Sequence, residues 1–186
     1  MSTTPSPKTA LIVIDVQESF RHRPYFEAEG LPDFFEHART LVTGFEARGL
    51  PIVRILHVEP AGPFSIASGL VVPMPELGYT PSVTFQKSVH SALAGTGLAR
   101  WLTHSGISRL VIAGIRTEQC CETTTRHASD SGFEVDYVTD ATLTFPMKSK
   151  SGRVFSPLEI KERTELVLAE RFARICTSAE ARARAH

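Results

Sequence analysis

The sequence predicts an α/β fold with three layers, in which helices cover both faces of a central, mostly parallel sheet of six strands. Three observations predict it. Short apolar runs such as residues 10–14 are typical of strands that are buried on both faces of a sheet. Helical segments alternate with these runs, as in parallel βαβ units. Chemically reactive residues stand where several runs end, and ligands bind at that edge of open α/β sheets.

The first part of the chain supplies two strands, one helix and a long loop. Ala10–Asp15 is predicted as the first strand because it opens with five apolar residues. Asp33–Arg48 is predicted as a helix, with apolar side chains on one face and Gly49 as its C-terminal stop. Ile52–Val58 is predicted as the second strand. Glu59–Ser82 is rich in proline and glycine and is predicted as a loop, and loops of this length are usually functional or mobile.

The middle of the chain continues the alternation. Val83–Lys87 is predicted as the third strand because it is rich in residues that favour strands, and Leu98–His104 is predicted as a short helix. Leu110–Ala113 is the fourth strand, and a tight turn leads from it into a helix that begins at Cys120. Glu134–Val138 is predicted as the fifth strand. These connections are those of a parallel sheet.

The C-terminal part holds the clearest helix signal. Ser156 is predicted as a helix N-cap, because proline follows at the first helical position and glutamate at the third. This helix is expected to run to about Arg171. A long loop, Thr139–Phe155, is predicted before it, and a short last strand, Ala173–Cys176, after it. The final residues, EARARAH, are predicted to be a frayed helix end.

Composition narrows the class of protein. A chain of 186 residues with 42% hydrophobic residues fits one domain, expected to span residues 1–186. Its 20 basic and 20 acidic residues balance, which predicts no nucleic-acid partner and no anionic membrane surface. No apolar run approaches the ~20 residues of a membrane span. The polar segment Met1–Lys8 does not have the character of a signal peptide.

The cysteine content points to a reducing environment. Three cysteines without regular spacing predict neither a disulfide framework nor a zinc site. Cys120 and Cys121 are adjacent, and a disulfide between neighbours would be badly strained. We therefore expect a cytoplasmic protein.

Leu110–Gly132, LVIAGIRTEQCCETTTRHASDSG, is the most informative segment. Cys120 stands where its predicted helix begins, and a helix N-terminus carries unsatisfied N–H groups and a partial positive charge. A thiol placed there is expected to ionise more easily and to be a better nucleophile. The same N–H groups can hold an oxyanion. The alternative for this segment alone is a small buried cysteine that only fills space.

Two other strand ends offer partners for this thiol. Asp15 closes the first strand, where a carboxylate either acts as a general base or caps the following turn. Lys87 closes the third strand. A lysine in that position is either a solvated charge or, beside a thiol and a carboxylate, a group that lowers the thiol pKa and orients the acid.

Asp15, Lys87 and Cys120, in this order and each at the end of a predicted strand, resemble the catalytic set of the isochorismatase-like cysteine hydrolases. That superfamily includes nicotinamidases, N-carbamoylsarcosine amidohydrolases and ureidoacrylate hydrolases. The resemblance covers about Thr9–Ala179 and rests on three motifs: IVIDVQ at the first strand, the lysine of the third, and AGIRTEQCCETTTRHASDSGFEVDYVTDA around the cysteine. The last motif is the most specific of the three.

The resemblance implies an isochorismatase-like, Rossmann-like fold and a C–N hydrolase. The substrate would be a small amide, carbamoyl or ureido compound, cleaved through a thioester on Cys120. Asp15 would take the thiol proton, and Lys87 would stabilise the negative charge of the site. The resemblance also implies a cis peptide bond between Ile115 and Arg116, so that the backbone N–H groups of Arg116 and Cys120 form the oxyanion hole.

Contacts to the substrate are expected from residues beside these motifs. The resemblance places the residue that matches Phe20 in the pocket wall, and the predicted substrate-binding residues are Gln17, Phe20, Ile115 and Arg116. Arg116 is unusual in this turn, where small or apolar residues are frequent. An inward guanidinium would favour a carboxylate-bearing substrate through a bidentate contact, whereas an outward one would be a surface or subunit-interface charge.

The resemblance also bears on metal ions and assembly. Nicotinamidases of the family bind a divalent ion through an Asp-x-His pair after the second strand, together with further histidines. The matching segment here is Ile55-Leu56-His57, and no second histidine follows in the next loop. We therefore expect no metal, no cofactor and a substrate other than nicotinamide, with His57 as a pocket or core residue. His90 could approach the site from the segment after Lys87, but a surface position is expected for it. The resemblance implies a homo-oligomer, a dimer or a tetramer.

Two other functions stay open. An isochorismatase-type enzyme cleaves a vinyl ether by acid catalysis with the aspartate and does not need the thiol, which leaves Cys120 unexplained. A ligand-binding or thiol-sensing domain on the same fold is the other, because fold alone does not establish activity. The complete set of Asp15, Lys87 and Cys120 favours the C–N hydrolase.

Overall fold

The computed structural model describes residues 8–186, so the N-terminal segment considered for a signal peptide lies outside the described residues except for Lys8. The main strands are β1 Lys8–Ile14, β2 Ile52–His57, β3 Val83–Lys87, β4 Ile107–Ile115, β5 Glu134–Leu143 and β8 Arg174–Cys176. Between the last two lies a short hairpin, β6 Met147–Lys148 and β7 Val154–Phe155. The helices are α1 Leu31–Glu46, α2 Leu98–His104, α3 Glu122–Asp130, α4 Pro157–Leu168 and α5 Ser178–Arg184.

The six main strands form one sheet in the order β3-β2-β1-β4-β5-β8, and every neighbouring pair is parallel. Alternate residues of β1 serve opposite faces, because successive side chains of a strand point in opposite directions. Leu11 and Val13 join a core with α1 and α5, whereas Ile12 and Ile14 join a core with α2, α3 and the end of α4. The predicted α/β fold with a parallel six-stranded sheet is therefore confirmed.

The chain between β5 and α4 differs from the predicted loop. β5 continues to Leu143, because Thr142 and Leu143 pair with Gly114 and Ile115 of β4 after a register shift. Residues 141–143 are buried and pack into the core. The β6–β7 hairpin then occupies most of the remaining segment. Neither feature could be recognised from the sequence, since a bulged strand end lacks the regular alternation of apolar and polar residues.

The C-terminus also differs from the prediction. It is not frayed but forms α5, whose N-cap Thr177 accepts a hydrogen bond from the N–H of Glu180 while the Glu180 carboxylate bonds the Thr177 N–H. Such a capping box satisfies two N–H groups that a helix start would leave unpaired. Ala181 is fully buried in the core shared with α1, so packing holds this short helix.

The first, second, third and fourth strands end at the same edge of the sheet. Asp15 directly follows β1, His57 ends β2, Lys87 ends β3, and Arg116 directly follows β4. The carboxyl edge thus gathers side chains that are up to about 100 positions apart in sequence, as expected for ligand sites of open α/β sheets. None of the helices in residues 8–186 has the length and apolar character that crossing a membrane requires.

Candidate active site

Asp15, Lys87 and Cys120 lie in contact at this edge. Lys87 Nζ is 2.7 Å from Asp15 Oδ2 and 3.2 Å from Cys120 Sγ. The thiol and the carboxylate also influence each other's pKa, which places both groups in the same electrostatic environment. The side chains of Lys87 and Asp15 are 0% and 1% exposed, so the ion pair lies outside bulk water. The three residues that the sequence predicts to be catalytic therefore form one buried cluster, the candidate triad.

His57 is the fourth member of this cluster, and sequence analysis placed it only as a pocket or core residue. Its Nδ1 lies 3.0 Å from Lys87 Nζ. Burial, and then the Lys87 charge, lower the pKa of His57 to about 4, so its ring is neutral at neutral pH. Nδ1 therefore accepts a hydrogen bond. An ammonium has three N–H groups, and those of Lys87 meet Asp15, Cys120 and His57.

Gln17 holds His57 in place and does not line an open pocket. Its side-chain oxygen accepts from the His57 N–H at 2.7 Å, and its nitrogen donates to the His57 carbonyl at 3.1 Å and to Ser19 Oγ at 2.9 Å. Gln17 is 0% exposed, and both of its polar atoms are engaged. These contacts give Gln17 a positioning role, and its contact with substrate stays a prediction. A sequence signal existed, since a glutamine three residues after the end of β1 is well placed to bond a neighbouring strand.

Backbone geometry brings β1 and β4 close enough for the cluster to form. Asp15 has a φ of 54°, a left-handed conformation that is uncommon for residues other than glycine. Gly114 of β4 pairs with Ile14 and has a φ of +134°. A Cβ on Gly114 would overlap the main chain of Ile14. Only glycine fits there, so the Gly114 of the sequence motif reflects the close approach of two strands at the site.

Cys120 was predicted at the start of the α-helix, but it lies in a separate turn before that helix. Residues Thr117–Cys121 form a π-helical turn, and α3 begins at Glu122. The N–H groups of Gln119 and Cys121 both donate to the Arg116 carbonyl at 3.2 Å. Such wide turns are frequent at functional sites. The thiol therefore lies inside this π-helical turn and not at a regular helix N-terminus.

Buried polar contacts hold this turn against the sheet. Tyr137 of β5 donates its hydroxyl hydrogen to the Thr117 carbonyl at 2.8 Å, and Thr117 Oγ1 lies 2.8 Å from Thr142 Oγ1. On the other side, Glu122 forms ion pairs with Arg126 and with Arg163 of α4. These contacts fix the position of Cys120 relative to Asp15 and Lys87.

The environment of Cys120 does not favour a preformed thiolate, which corrects the expectation from sequence. Burial raises the pKa of the Cys120 thiol to about 12, Asp15 acts in the same direction, and Lys87 opposes both. Burial also raises the pKa of Asp15, and Lys87 offsets only part of this. Burial lowers the pKa of Lys87, but Asp15 and Cys120 raise it by more. The lysine thus stays charged, and the thiol keeps its proton until a base removes it.

The peptide bond between Ile115 and Arg116 is cis. The Arg116 N–H donates no hydrogen bond within residues 8–186. Arg116 directly precedes the turn that carries Cys120. An oxyanion hole requires a backbone donor without a protein partner, so this N–H is available for that role.

The remaining residues expected in the pocket are all buried. Phe20 is 5% exposed and Ile115 is 0% exposed, and both belong to the core that includes α1. The ring centroids of Phe20 and Phe64 are 4.9 Å apart. The roles of Phe20 and Ile115 as substrate contacts therefore stay predictions. Arg116 points inward: its side chain is 7% exposed.

His90 lies closer to the thiol than sequence analysis expected. It is exposed, as predicted, but its Nδ1 is 3.8 Å from Cys120 Sγ. In the sequence, the only indication that His90 lies near the thiol is its place three residues after Lys87. His90 is therefore a solvent-facing neighbour of the candidate triad.

A family model matches the same stretch of chain that the sequence motifs cover. The model, described as the Isochorismatase domain, matches residues 9–179. The chain belongs to the isochorismatase family. This confirms the family and the fold that the sequence motifs indicated, and it makes the protein a member of a hydrolase family.

Isochorismatase-family relatives cover almost the whole chain. The uncharacterized isochorismatase family protein YrdC of Bacillus subtilis (strain 168) is 27% identical over 179 residues, 92% of either chain. A crystal structure of an isochorismatase-family protein from Chromobacterium violaceum ATCC 12472 superposes with a TM-score of 0.87 at 28% identity, covering 99% of this chain and 96% of that one. Nicotinamidase 3 of Arabidopsis thaliana is 40% identical over 65 residues, 35% of this chain and 33% of that protein.

Nicotinamidases bind a divalent metal ion near the position of His57. The residues around His57 in this chain are not suited to bind such an ion. Ile55, where such enzymes have an aspartate, is fully buried among apolar side chains. The Lys87 ammonium occupies the Nδ1 side of the His57 ring, and it would repel a metal ion there. Residues 8–186 contain no group of three His, Cys, Asp or Glu side chains arranged to hold a metal.

Proposed function

We propose that this isochorismatase-family protein hydrolyses a C–N bond in a small amide, carbamoyl or ureido compound through a thioester on Cys120. One observation carries the proposal: one ammonium contacts both a thiol and a carboxylate, and all three groups are buried. A cysteine that only fills space needs no such partners. The same family includes the Arabidopsis relative whose name is Nicotinamidase 3, an enzyme class that cleaves an amide.

Asp15 begins the reaction as general base. Because the pKa of the Cys120 thiol is raised to about 12, the thiol is protonated at neutral pH, and the adjacent carboxylate has to accept its proton as the sulfur attacks. Burial raises the pKa of Asp15, which makes it a better proton acceptor than an exposed aspartate. Proton transfer and attack are thus coupled, and no free thiolate accumulates.

Attack of Sγ on the carbonyl carbon converts the carbonyl oxygen into an oxyanion. The N–H groups of Arg116 and Cys120 donate to this oxygen. Asp15 then gives its proton to the leaving nitrogen, the C–N bond breaks, and an acyl thioester remains on Cys120. Asp15 next takes a proton from a water molecule, the hydroxide adds to the thioester, and the proton returns to the sulfur as the acid product leaves.

Lys87 keeps the electrostatic balance of these steps. Its ammonium contacts both the group that loses a proton and the group that gains it. A positive charge at this position stabilises the developing negative charge on sulfur and oxygen in a site without bulk water. His57 holds the third N–H of the ammonium, so Lys87 cannot rotate away from Asp15 and Cys120.

The test is ammonia release from a panel of small primary amides and ureido compounds, with Cys120→Ala as the variant and Cys176→Ala as its matched control. Cys176 is also buried, but it lies on β8, outside the candidate triad. We expect Cys120→Ala to reduce the rate by at least ~1000-fold and Cys176→Ala to keep it. A mass increase by the acyl group on Cys120 in the wild type would identify the thioester.

Two outcomes would contradict the proposal. If Cys120→Ala keeps full amide hydrolysis, the thiol is not the nucleophile. If Cys120→Ala and the wild type both cleave a vinyl ether such as isochorismate, and neither cleaves any amide, the acid-catalysed alternative with Asp15 replaces the C–N hydrolase.

A further inference from the structure

The guanidinium of Arg116 is enclosed by aromatic rings. Its Cζ lies 4.8 Å from the ring centroid of Tyr25 and 5.6 Å from that of Phe145. The side chain is only 7% exposed. Arginine stacks well on aromatic faces, and this leaves the in-plane N–H groups free to donate.

Those N–H groups lack acceptors. Arg116 Nε and Nη2 are buried and make no hydrogen bond within residues 8–186. Glu118 Oε1 lies 3.0 Å from Nη2 and balances the charge, but this oxygen also has no hydrogen bond. The second Glu118 oxygen accepts from Thr144 Oγ1 at 2.6 Å, which holds the carboxylate away from a bidentate position. The pair is therefore charged but poorly hydrogen-bonded.

Arg109 lies near the start of β4, whereas Arg116 directly follows its end. The guanidinium of Arg109 forms an ion pair that is also hydrogen-bonded. Its Nε and Nη2 both donate to Glu134 Oε2, at 3.0 and 2.7 Å. Its side chain is 11% exposed, close to the value for Arg116. Burial alone thus does not prevent an arginine of this chain from using both Nε and Nη2 in hydrogen bonds to a carboxylate. The missing hydrogen bonds of Arg116 indicate a place for an acceptor that does not belong to the protein.

A continuous row of rings joins this guanidinium to the candidate triad. Ring centroids are 6.3 Å apart between Phe145 and Phe20, 4.9 Å between Phe20 and Phe64, and 5.8 Å between Phe64 and His57. His57 in turn bonds Lys87. The backbone N–H of Arg116 belongs to the proposed oxyanion hole, so its side chain and the reacting carbonyl are held by one residue.

We propose that the Arg116 guanidinium binds a carboxylate of the substrate, so that the preferred substrates are small amides or ureido compounds that carry a carboxylate group. This rests on the proposed C–N hydrolase function and names its substrate class. Arginine and carboxylate form two parallel hydrogen bonds, which supply the acceptors that Nε and Nη2 lack. Glu118 holds the guanidinium in the free protein and competes with the incoming carboxylate.

The experiment compares two substrates of similar shape: succinamate, which carries a carboxylate, and 4-oxopentanamide, which carries a methyl ketone in its place. The readout is the ratio of their kcat/KM values. We expect the wild type to prefer succinamate, and Arg116→Gln to lower the ratio by roughly 10- to 100-fold, the range for losing hydrogen bonds to a charged group. Arg109→Gln, which removes a similarly buried arginine, should leave the ratio unchanged.

Glu118→Gln separates recognition from a structural ion pair, because its effect has the opposite sign. Removing the competing negative charge should raise the ratio severalfold, which loss of folding cannot do. If Arg116 and Glu118 form only a structural pair, both variants change the two substrates equally, and the proposal is overturned. It is also overturned if the wild type does not prefer succinamate.

A binding measurement keeps this proposal distinct from the hydrolase proposal. Calorimetry with the Cys120→Ala variant measures succinamate affinity without turnover, and we expect Arg116→Gln to weaken that affinity by about tenfold or more. If no amide is hydrolysed but succinamate binds through Arg116, the hydrolase proposal fails and the carboxylate site stands. If amides are hydrolysed and Arg116→Gln has no effect on binding, the reverse holds.

Discussion

Lys87 Nζ lies 3.0 Å from His57 Nδ1, and this contact gives a fully buried ammonium its third acceptor. A buried charge is tolerated only when its hydrogen-bonding capacity is met. Asp15 neutralises the lysine, Cys120 takes the second N–H, and His57 completes the set. His57 thus completes the hydrogen bonding of a buried lysine in this chain.

Removing the His57 side chain should destabilise the fold. His57→Ala leaves one N–H of the buried Lys87 without a partner, and we expect the free energy of unfolding to fall by about 1–3 kcal/mol. Urea unfolding followed by circular dichroism measures this value. His104→Ala is the control, because His104 is exposed at the end of α2, and its effect should stay within about 0.5 kcal/mol. Equal effects of the two substitutions would contradict a structural role of His57.

The low pKa of His57 predicts a specific pH dependence of stability. In the folded protein its pKa is about 4, against an ordinary value of 6.5, so the unfolded chain binds more protons between these values. The stability that neutral His57 contributes is thus present above pH 6.5 and is lost as the pH falls toward 4. We expect the difference in unfolding free energy between the wild type and His57→Gln to shrink over this window. A difference that stays constant from pH 7 to pH 4.5 would contradict the prediction.

Asp15→Asn should make Cys120 more reactive toward iodoacetamide while it abolishes hydrolysis. The Asp15 carboxylate, after burial, raises the pKa of the thiol, so its removal lowers that pKa and increases the thiolate fraction. Each unit of decrease in pKa gives roughly tenfold more thiolate at pH 8. Alkylation is read for each cysteine by mass spectrometry, with Cys176 as the internal reference.

Lys87→Met should act in the opposite direction, since Lys87 lowers the pKa of the Cys120 thiol. General unfolding would expose all three cysteines and accelerate Cys176 as well, so it is recognised from the same data. A Cys120 rate that falls in Asp15→Asn would show that the carboxylate already promotes ionisation in the resting protein.

Gly114→Ala should disrupt the site through the backbone. The new Cβ would overlap the main chain of Ile14, so β1 and β4 would have to separate at the residues that precede Asp15 and Arg116. We expect a loss of at least about 3 kcal/mol, or a decrease in Tm of roughly 6–12 °C. Gly106→Ala is the matched control. Gly106 also has a positive φ, +68°, but nothing within 4 Å of the new Cβ, so only about 1–2 kcal/mol is expected.

The sequence alone determined the family and the layered α/β fold. It also showed that reactive residues such as Asp15 and Lys87 stand where strands end. Val83–Lys87 and Leu98–His104 were predicted with their observed bounds, because both segments have strong local signals. Burial on both faces makes a parallel strand nearly all apolar, and this pattern needs no knowledge of its neighbours. A residue that ends such a strand can therefore be placed at the active edge from sequence.

The sequence did not determine features that depend on contacts between distant segments. The extension of β5 to Leu143 follows from its pairing with β4, and the stability of α5 follows from its packing on α1. The C-terminal residues look polar in isolation, and short helices are marginal until a partner covers one face.

Tertiary structure also decided the electrostatics of the site. Sequence predicted an easily ionised Cys120, because a helix N-terminus and a lysine both favour a thiolate. In the fold, burial and the Asp15 carboxylate outweigh them, and the pKa of the thiol rises to about 12. Residue types define which charges are present, but the sign of a pKa shift depends on distances and on the exclusion of water, and only the folded chain sets these.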